Sequence, residues 1–179
     1  GISTNLSQGV HGKGWLDTVK MKTKILMDVI DVNNSYPIVM VDLDCMFIRD
    51  ISYLIDESFD IQACFRGWEN PHAPYLACFT VVNNSKGREF LKIWNSYIDG
   101  IKTPNKESPA LTKAVKLHGD KFKVGDIDNI TVNGSTIKDI ERSDIIHFKS
   151  QYSVPTIKRR IWEAIVPNGF GAYVKKYLR

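Results

Sequence analysis

The chain has 179 residues, enough for one domain with a single sizeable core, and its 43% hydrophobic and 25% charged content is that of an ordinary soluble globular protein. A net charge of +4 is too mild to argue for a nucleic-acid partner. No run approaches the roughly 18 apolar residues of a membrane span, no signal-peptide pattern is present, and no Cys/His spacing matches a zinc site.

Basic residues gather in 13–24, in 113–123 and at the carboxyl end, and most read as solvated helix faces. A phosphate-bearing ligand, or peripheral contact of the basic carboxyl end with an anionic membrane, stays open. Cys45, Cys64 and Cys78 are odd in number and lie in apolar, strand-like segments, so they are expected as buried thiols. That favours a reducing compartment and a cytoplasmic location.

Residues 1–14 are rich in Gly, Ser and Asn and read as a loop; Gly12-Lys13-Gly14 is only a weak phosphate-binding pattern, with no Walker motif. From 15 to 31 the apolar residues Trp15, Leu16, Val19, Ile25, Leu26, Val29 and Ile30 recur at mostly helical spacing, which predicts a helix decorated by Lys20, Lys22 and Lys24. Asn33-Asn34-Ser35-Tyr36-Pro37 ends it. The run Ile38-Val39-Met40-Val41 then reads as a fully buried central strand with Asp42 and Asp44 at its carboxyl end, the edge where open α/β sheets bind ligands. On an extended segment these carboxylates would point the same way, to hold a hard divalent cation or to use one of them as a nucleophile. A capped turn with two solvated carboxylates is the plain alternative.

Downstream, residues 49–55 read as a short helical turn, 59–65 as a second strand, and 66–74, with Arg66, Trp68 and His72, as an exposed loop suited to ligand contact. A third strand over 75–82 leads to an amphipathic helix over 87–101 that buries Phe90, Leu91, Trp94 and Ile98. Another helix is expected over 110–117 and a short strand over 122–124. A hairpin is expected over 130–137, because Asn133-Gly134 is a favoured pair for a tight turn. Residues 143–149 give a brief buried strand carrying His147, and the tail from 156 reads as a basic, aromatic helix.

The ordered set of Val41-Asp42-Leu43-Asp44-Cys45-Met46-Phe47-Ile48-Arg49-Asp50, then Val81-Val82-Asn83-Asn84-Ser85 before Glu89-Phe90-Leu91-Lys92-Ile93-Trp94, then Asp144-Ile145-Ile146-His147-Phe148, resembles the nucleotide-diphospho-sugar glycosyltransferases of the GT-A fold. The likeness runs over about residues 15–150. It implies an α/β fold, a mixed central sheet flanked by helices, and a hexosyltransferase-like enzyme of glycan biosynthesis. Its donor would be a nucleotide-diphospho-sugar, its acceptor a glycan or other hydroxyl, and its cofactor Mn²⁺ or Mg²⁺.

By the same resemblance Asp44 and His147 would hold the metal, Asp42 would share it or meet the ribose, and Lys20 or Lys24 would face the diphosphate. Asn83 or Asn84 would contact a sugar hydroxyl, and Glu107 would act as base toward the acceptor. Residues alone read these more plainly: solvated lysines, a strand-capping Asn, a carboxylate stabilising a helix start, and a core histidine. Only 41 residues precede Asp42, where relatives carry two or more βα units, so a single compact domain over 1–179, minimal or truncated at its amino terminus, is expected.

Two other functions compete. Asp42-Leu43-Asp44 also resembles the first motif of haloacid-dehalogenase-type phosphatases, with Asp42 as nucleophile and Val124-Gly125-Asp126-Ile127-Asp128 as the late acidic motif. That motif should open onto a helix, and the hairpin expected after it weighs against this. The third is a non-catalytic carbohydrate-binding domain.

Overall fold

A computed structural model describes residues 13–33, 36–70, 73–101, 107–134, 139 and 141–147. The expected carboxyl-terminal helix, the loop up to Gly12 and His72 lie outside these residues. The chain divides into two compact units, Gly1–Met40 with Ile55–Asp126, and Val41–Leu54 with Ile127–Arg179.

The first unit is an α/β layer built on a large apolar core. Helix α1 (Lys13–Asn33) buries Val19, Thr23, Leu26 and Ile30, spaced four, three and four residues apart, so that they form one stripe. Ile25 and Val29, expected on that stripe, are exposed. The stripe packs on α2 (Ser85–Asp99), where Thr23 Oγ1 donates to Asn95 Oδ1 at 2.7 Å.

Asn84 caps α2 by accepting from the Gly87 amide at 3.0 Å, and the helix buries Phe90, Leu91, Trp94 and Ile98, the face its periodicity predicts. Gly87 is required there, because a Cβ would overlap the Asp60 carbonyl. Helix α3 (Glu107–His118) lies on β4 (Tyr75–Val82), and its Thr112 and Ser108 hydroxyls accept from the Tyr75 and Ala77 amides, each at 3.1 Å.

The sheet of this unit has the order β1 (Ile38–Val41), β4, β3 (Ile61–Phe65), β5 (Val124–Asp128), with β3 and β4 antiparallel. The expectation of a central, fully buried β1 is therefore corrected. Among the described residues it is an edge strand, half-buried along its length, since four apolar residues in a row are compatible with either place and only pairing decides. The strand expected over 122–124 is displaced onward to β5.

The second unit is small and joined by short elements. Strand β2 (Cys45–Phe47) runs antiparallel to β6 (Ile145–His147), pairing Cys45 with His147, Met46 with Ile146 and Phe47 with Ile145. A 3₁₀ turn over Ser52–Leu54 matches the expected helical turn.

The hairpin expected over 130–137 is overturned in its described part: Asn129–Val132 is a helical turn, α4, and Gly134 forms an isolated parallel bridge with Ile146. The cause is Asp128, whose carboxylate accepts from the Thr131 amide at 3.0 Å and its hydroxyl at 3.1 Å, an amino-terminal cap that outweighs the strand preference of Ile130, Thr131 and Val132.

Asp144 ties the unit together. Its amide donates to the Thr131 carbonyl and its own carbonyl accepts from the Ile48 amide, both at 2.7 Å, while its buried carboxylate meets Arg49 Nη1 at 3.1 Å and the Tyr53 hydroxyl. That hydroxyl, donating to a carboxylate, has its pKa raised. Arg49 also donates to the Ser143 carbonyl at 2.8 Å.

Candidate functional site

Asp42, Asp44 and His147 come together within the second unit. The two carboxylates do not lie on an extended strand as expected. Residues 43–44 form a turn, with the Cys45 amide donating to the Asp42 carbonyl at 3.2 Å, and Leu43 at its tip is fully exposed. The turn still brings both acids to one place, Asp44 Oδ1 lying 3.1 Å and Asp42 Oδ2 3.6 Å from His147 Nε2. The turn of the plain alternative is therefore present, but its two carboxylates face a buried imidazole.

The other face of that imidazole shows how the ring is set. Nδ1 of His147 lies 2.8 Å from Asn133 Oδ1, and Asn133 Nδ2 donates to Asn129 Oδ1 at 2.7 Å. With its amide group donating to Asn129, Asn133 turns its carbonyl oxygen toward Nδ1, the arrangement that suits a ring protonated at Nδ1. In a neutral ring Nε2 is then a lone pair aimed at two carboxylates. Three electron-rich groups facing one another are stable only with positive charge among them, from a proton on Nε2 or from a cation.

A divalent ion fits Asp44 and His147, whereas Asp42 stands outside the group of ligand atoms close enough to share one. Two ligands each about 2.1 Å from an ion and at right angles are about 3.0 Å apart, close to the Asp44–His147 separation. The ligand atoms of Asp44, Cys45 and His147 lie within 4.8 Å of one another. An imidazole held by an outer-shell carbonyl, as His147 is by Asn133, is the usual support of a metal-ligating histidine.

Close packing fixes the floor of the site. The His147 amide donates to the Gly134 carbonyl at 2.7 Å, and a Cβ at Gly134 would overlap the Ser143 hydroxyl. Asn133, read from the sequence only as a turn residue, is a member of this cluster that sequence reasoning missed. Nothing in Asn133-Gly134 signals that its side chain serves a histidine fourteen positions on.

The remaining site candidates belong to the first unit, each with local partners. Lys24 pairs with Asp99 at 3.0 Å and Lys20 donates to the Asp99 carbonyl at 3.4 Å, both near solvent. Asn84 caps α2 and donates to Asp60 at 2.9 Å. Asn83 donates to the Asp56 carbonyl and to Gln62 at 3.0 and 3.2 Å. Glu107 opens α3, its carbonyl accepting from Trp94 Nε1 at 3.3 Å, and its Oε2 is buried with no hydrogen-bond partner among the described residues. Of the expected buried thiols, Cys64 and Cys78 are buried and Cys45 is half-buried; among the described residues none is in a disulfide.

Neither a family model nor a curated protein matches the chain. Among solved structures, it is similar to the crystal structure of a glycosyltransferase involved in the glycosylation of the major capsid of PBCV-1, with a TM-score of 0.61 over 82% of this chain and 76% of that one, at 14% identity. At that identity the likeness speaks to fold: this α/β chain, a sheet flanked by helices, has a glycosyltransferase-like fold. Among the described residues no helix is long and apolar enough to cross a membrane.

Proposed function

We propose that the chain is a metal-dependent glycosyltransferase of the GT-A, Asp-x-Asp kind, moving a sugar from a nucleotide-diphospho-sugar to an acceptor hydroxyl. The observation that carries this reading is the convergence of Asp42 and Asp44 on Nε2 of His147, in a chain whose fold is that of a glycosyltransferase. Mn²⁺ or Mg²⁺ bound there would supply the positive charge that offsets the charge developing on the diphosphate as the sugar leaves. Asp44 and His147 would hold the ion, the imidazole inclining the choice toward Mn²⁺. Asp42, half-buried and 3.6 Å from Nε2, would share the ion or meet the donor's ribose. Asn133 would keep the ring turned so that Nε2, and not a ring N–H, faces the cation.

A second reading gains one point from the structure. A helical turn does follow Asp126-Ile127-Asp128, as the phosphatase motif requires. Against it, the Asp128 carboxylate is engaged in capping that turn, and Asp126 accepts from the Tyr75 hydroxyl at 2.6 Å.

Thermal-shift screening with UDP-, GDP- and CDP-sugars, each with and without Mn²⁺, separates the readings, because a ligand that binds only the folded state raises its apparent stability. Stabilisation by one nucleotide sugar that requires Mn²⁺ is expected. Hydrolysis of a generic phosphomonoester with Mg²⁺, without any nucleotide effect, would transfer the site to the phosphatase. Silence in both assays would favour a carbohydrate-binding domain.

A further inference from the structure

Cys45 belongs to the same cluster yet has no part in the function proposed above. It stands directly across the β2–β6 ladder from His147, and partners across a ladder project from the same face of the sheet. Its neighbour Asp44 brings a carboxylate oxygen to 3.1 Å from the same imidazole. One oxygen, one nitrogen and one sulfur therefore lie within 4.8 Å of one another. Ion-to-ligand distances of about 2.3 Å for sulfur and about 2.1 Å for nitrogen or oxygen allow such atoms to meet on one ion after small rotations of the half-buried Cys45 and Asp44.

We propose that Cys45 is a further metal ligand beside Asp44 and His147, and that its sulfur makes the site prefer a thiophilic divalent ion of the Zn²⁺ or Co²⁺ kind to Mg²⁺. The inference rests on reading the Asp44–His147 pair as a cation site and adds to it the residue that sets ion preference. Carboxylate oxygens alone suit Mg²⁺ and Mn²⁺. A thiolate adds a soft donor that Mg²⁺ gains little from, whereas Co²⁺ and Zn²⁺ stand higher in affinity at mixed nitrogen and sulfur sites. Buried Cys64 and Cys78 do not offer such a donor to solvent-borne ions.

The test is a Co²⁺ titration of the whole chain followed in parallel by calorimetry and by absorbance. Saturable heat accompanied by an ultraviolet thiolate-to-Co²⁺ charge-transfer band is expected. Cys45→Ser should lose the band and bind Zn²⁺ roughly tenfold or more weakly, on the scale of losing a donor around a metal, with Mg²⁺ affinity little changed. Calorimetric Co²⁺ binding without the band overturns the Cys45 assignment and leaves the cation site standing. Absence of both Co²⁺ and Mn²⁺ binding overturns the two together. A wild-type measurement guards against a misfolded variant: Zn²⁺ should slow the reaction of Cys45 with a thiol reagent while Mg²⁺ should not. Equal labelling rates with and without Zn²⁺ refute the proposal.

Discussion

The two units of this chain are stabilised by different means. In the first, Phe79, Phe90, Leu91, Trp94, Ile98 and Leu111 are almost wholly removed from water, and buried polar contacts such as Thr23–Asn95 and Thr112–Tyr75 supplement an extensive apolar core. In the second, the strands are three residues long and α4 is a single turn. There Asn133, Ser143, Asp144 and His147 are buried beside Ile48, Ile127, Val132, Ile145 and Ile146. Apolar packing tolerates imprecision in direction, whereas hydrogen bonds fix it. A cation site needs fixed directions, and the one proposed here lies in the unit that hydrogen bonds organise.

Substitutions should pull these two kinds of unit apart. Trp94→Ala is expected to have the largest effect on folding, about 3–5 kcal/mol from lost burial and the cavity left behind, measurable by urea denaturation. If it cost under about 1 kcal/mol, the apolar account of the first unit would be wrong. Asp44→Ala should leave unfolding nearly unchanged, because the side chain is over a third exposed, while abolishing metal-dependent nucleotide binding in calorimetry. Unaltered nucleotide affinity in that variant would sink the site assignment.

His147→Ala and Asn133→Ala form a graded pair. Removing the imidazole should weaken Mn²⁺ binding most, and removing its carbonyl partner should weaken it by about 10–100-fold, the usual range for outer-shell support. A fall in melting temperature without any change in Mn²⁺ affinity would make His147 a core histidine and nothing more.

The smallest expected effect is electrostatic. Arg88 holds the pKa of exposed Asp31 below its ordinary value, through hydrogen bonding first and charge second. A depressed folded-state pKa means this contribution is present above the usual carboxylate value and fades as pH falls through the lowered one. Arg88→Gln should therefore differ from wild type slightly at neutral pH and not at all in strong acid, by paired denaturation curves.

How much of this could be read from the residues also divides by unit. The stripe of α2 and the limits of β4 follow from apolar periodicity, because the core they face is continuous and large. The place of β1 in its sheet does not, since pairing partners leave no mark on a four-residue apolar run. In the second unit Asp42 and Asp44 stood out as carboxylates at a strand end, though on a turn and not the extended segment expected, whereas His147 was singled out only through a family resemblance. The β2–β6 ladder joins segments about a hundred residues apart, and no local pattern announces it. At α4 the local signals conflicted. Asp128 with Thr131 three positions later is a helix-start pattern, but Ile-Thr-Val followed by Asn-Gly imitates a hairpin, and the cap prevailed.

The clamp at Asp144 guards against a particular error. A ladder of three residue pairs has little of its own to stop one strand slipping past the other. Because side chains alternate, a slip by a single residue would turn His147 to the opposite face and away from both carboxylates. Asp144 sits one residue before β6 and grips Ile48 and Thr131 by backbone and Arg49 and Tyr53 by side chain. A residue three positions from the imidazole, and touching none of the carboxylates it faces, thereby decides whether the imidazole meets them.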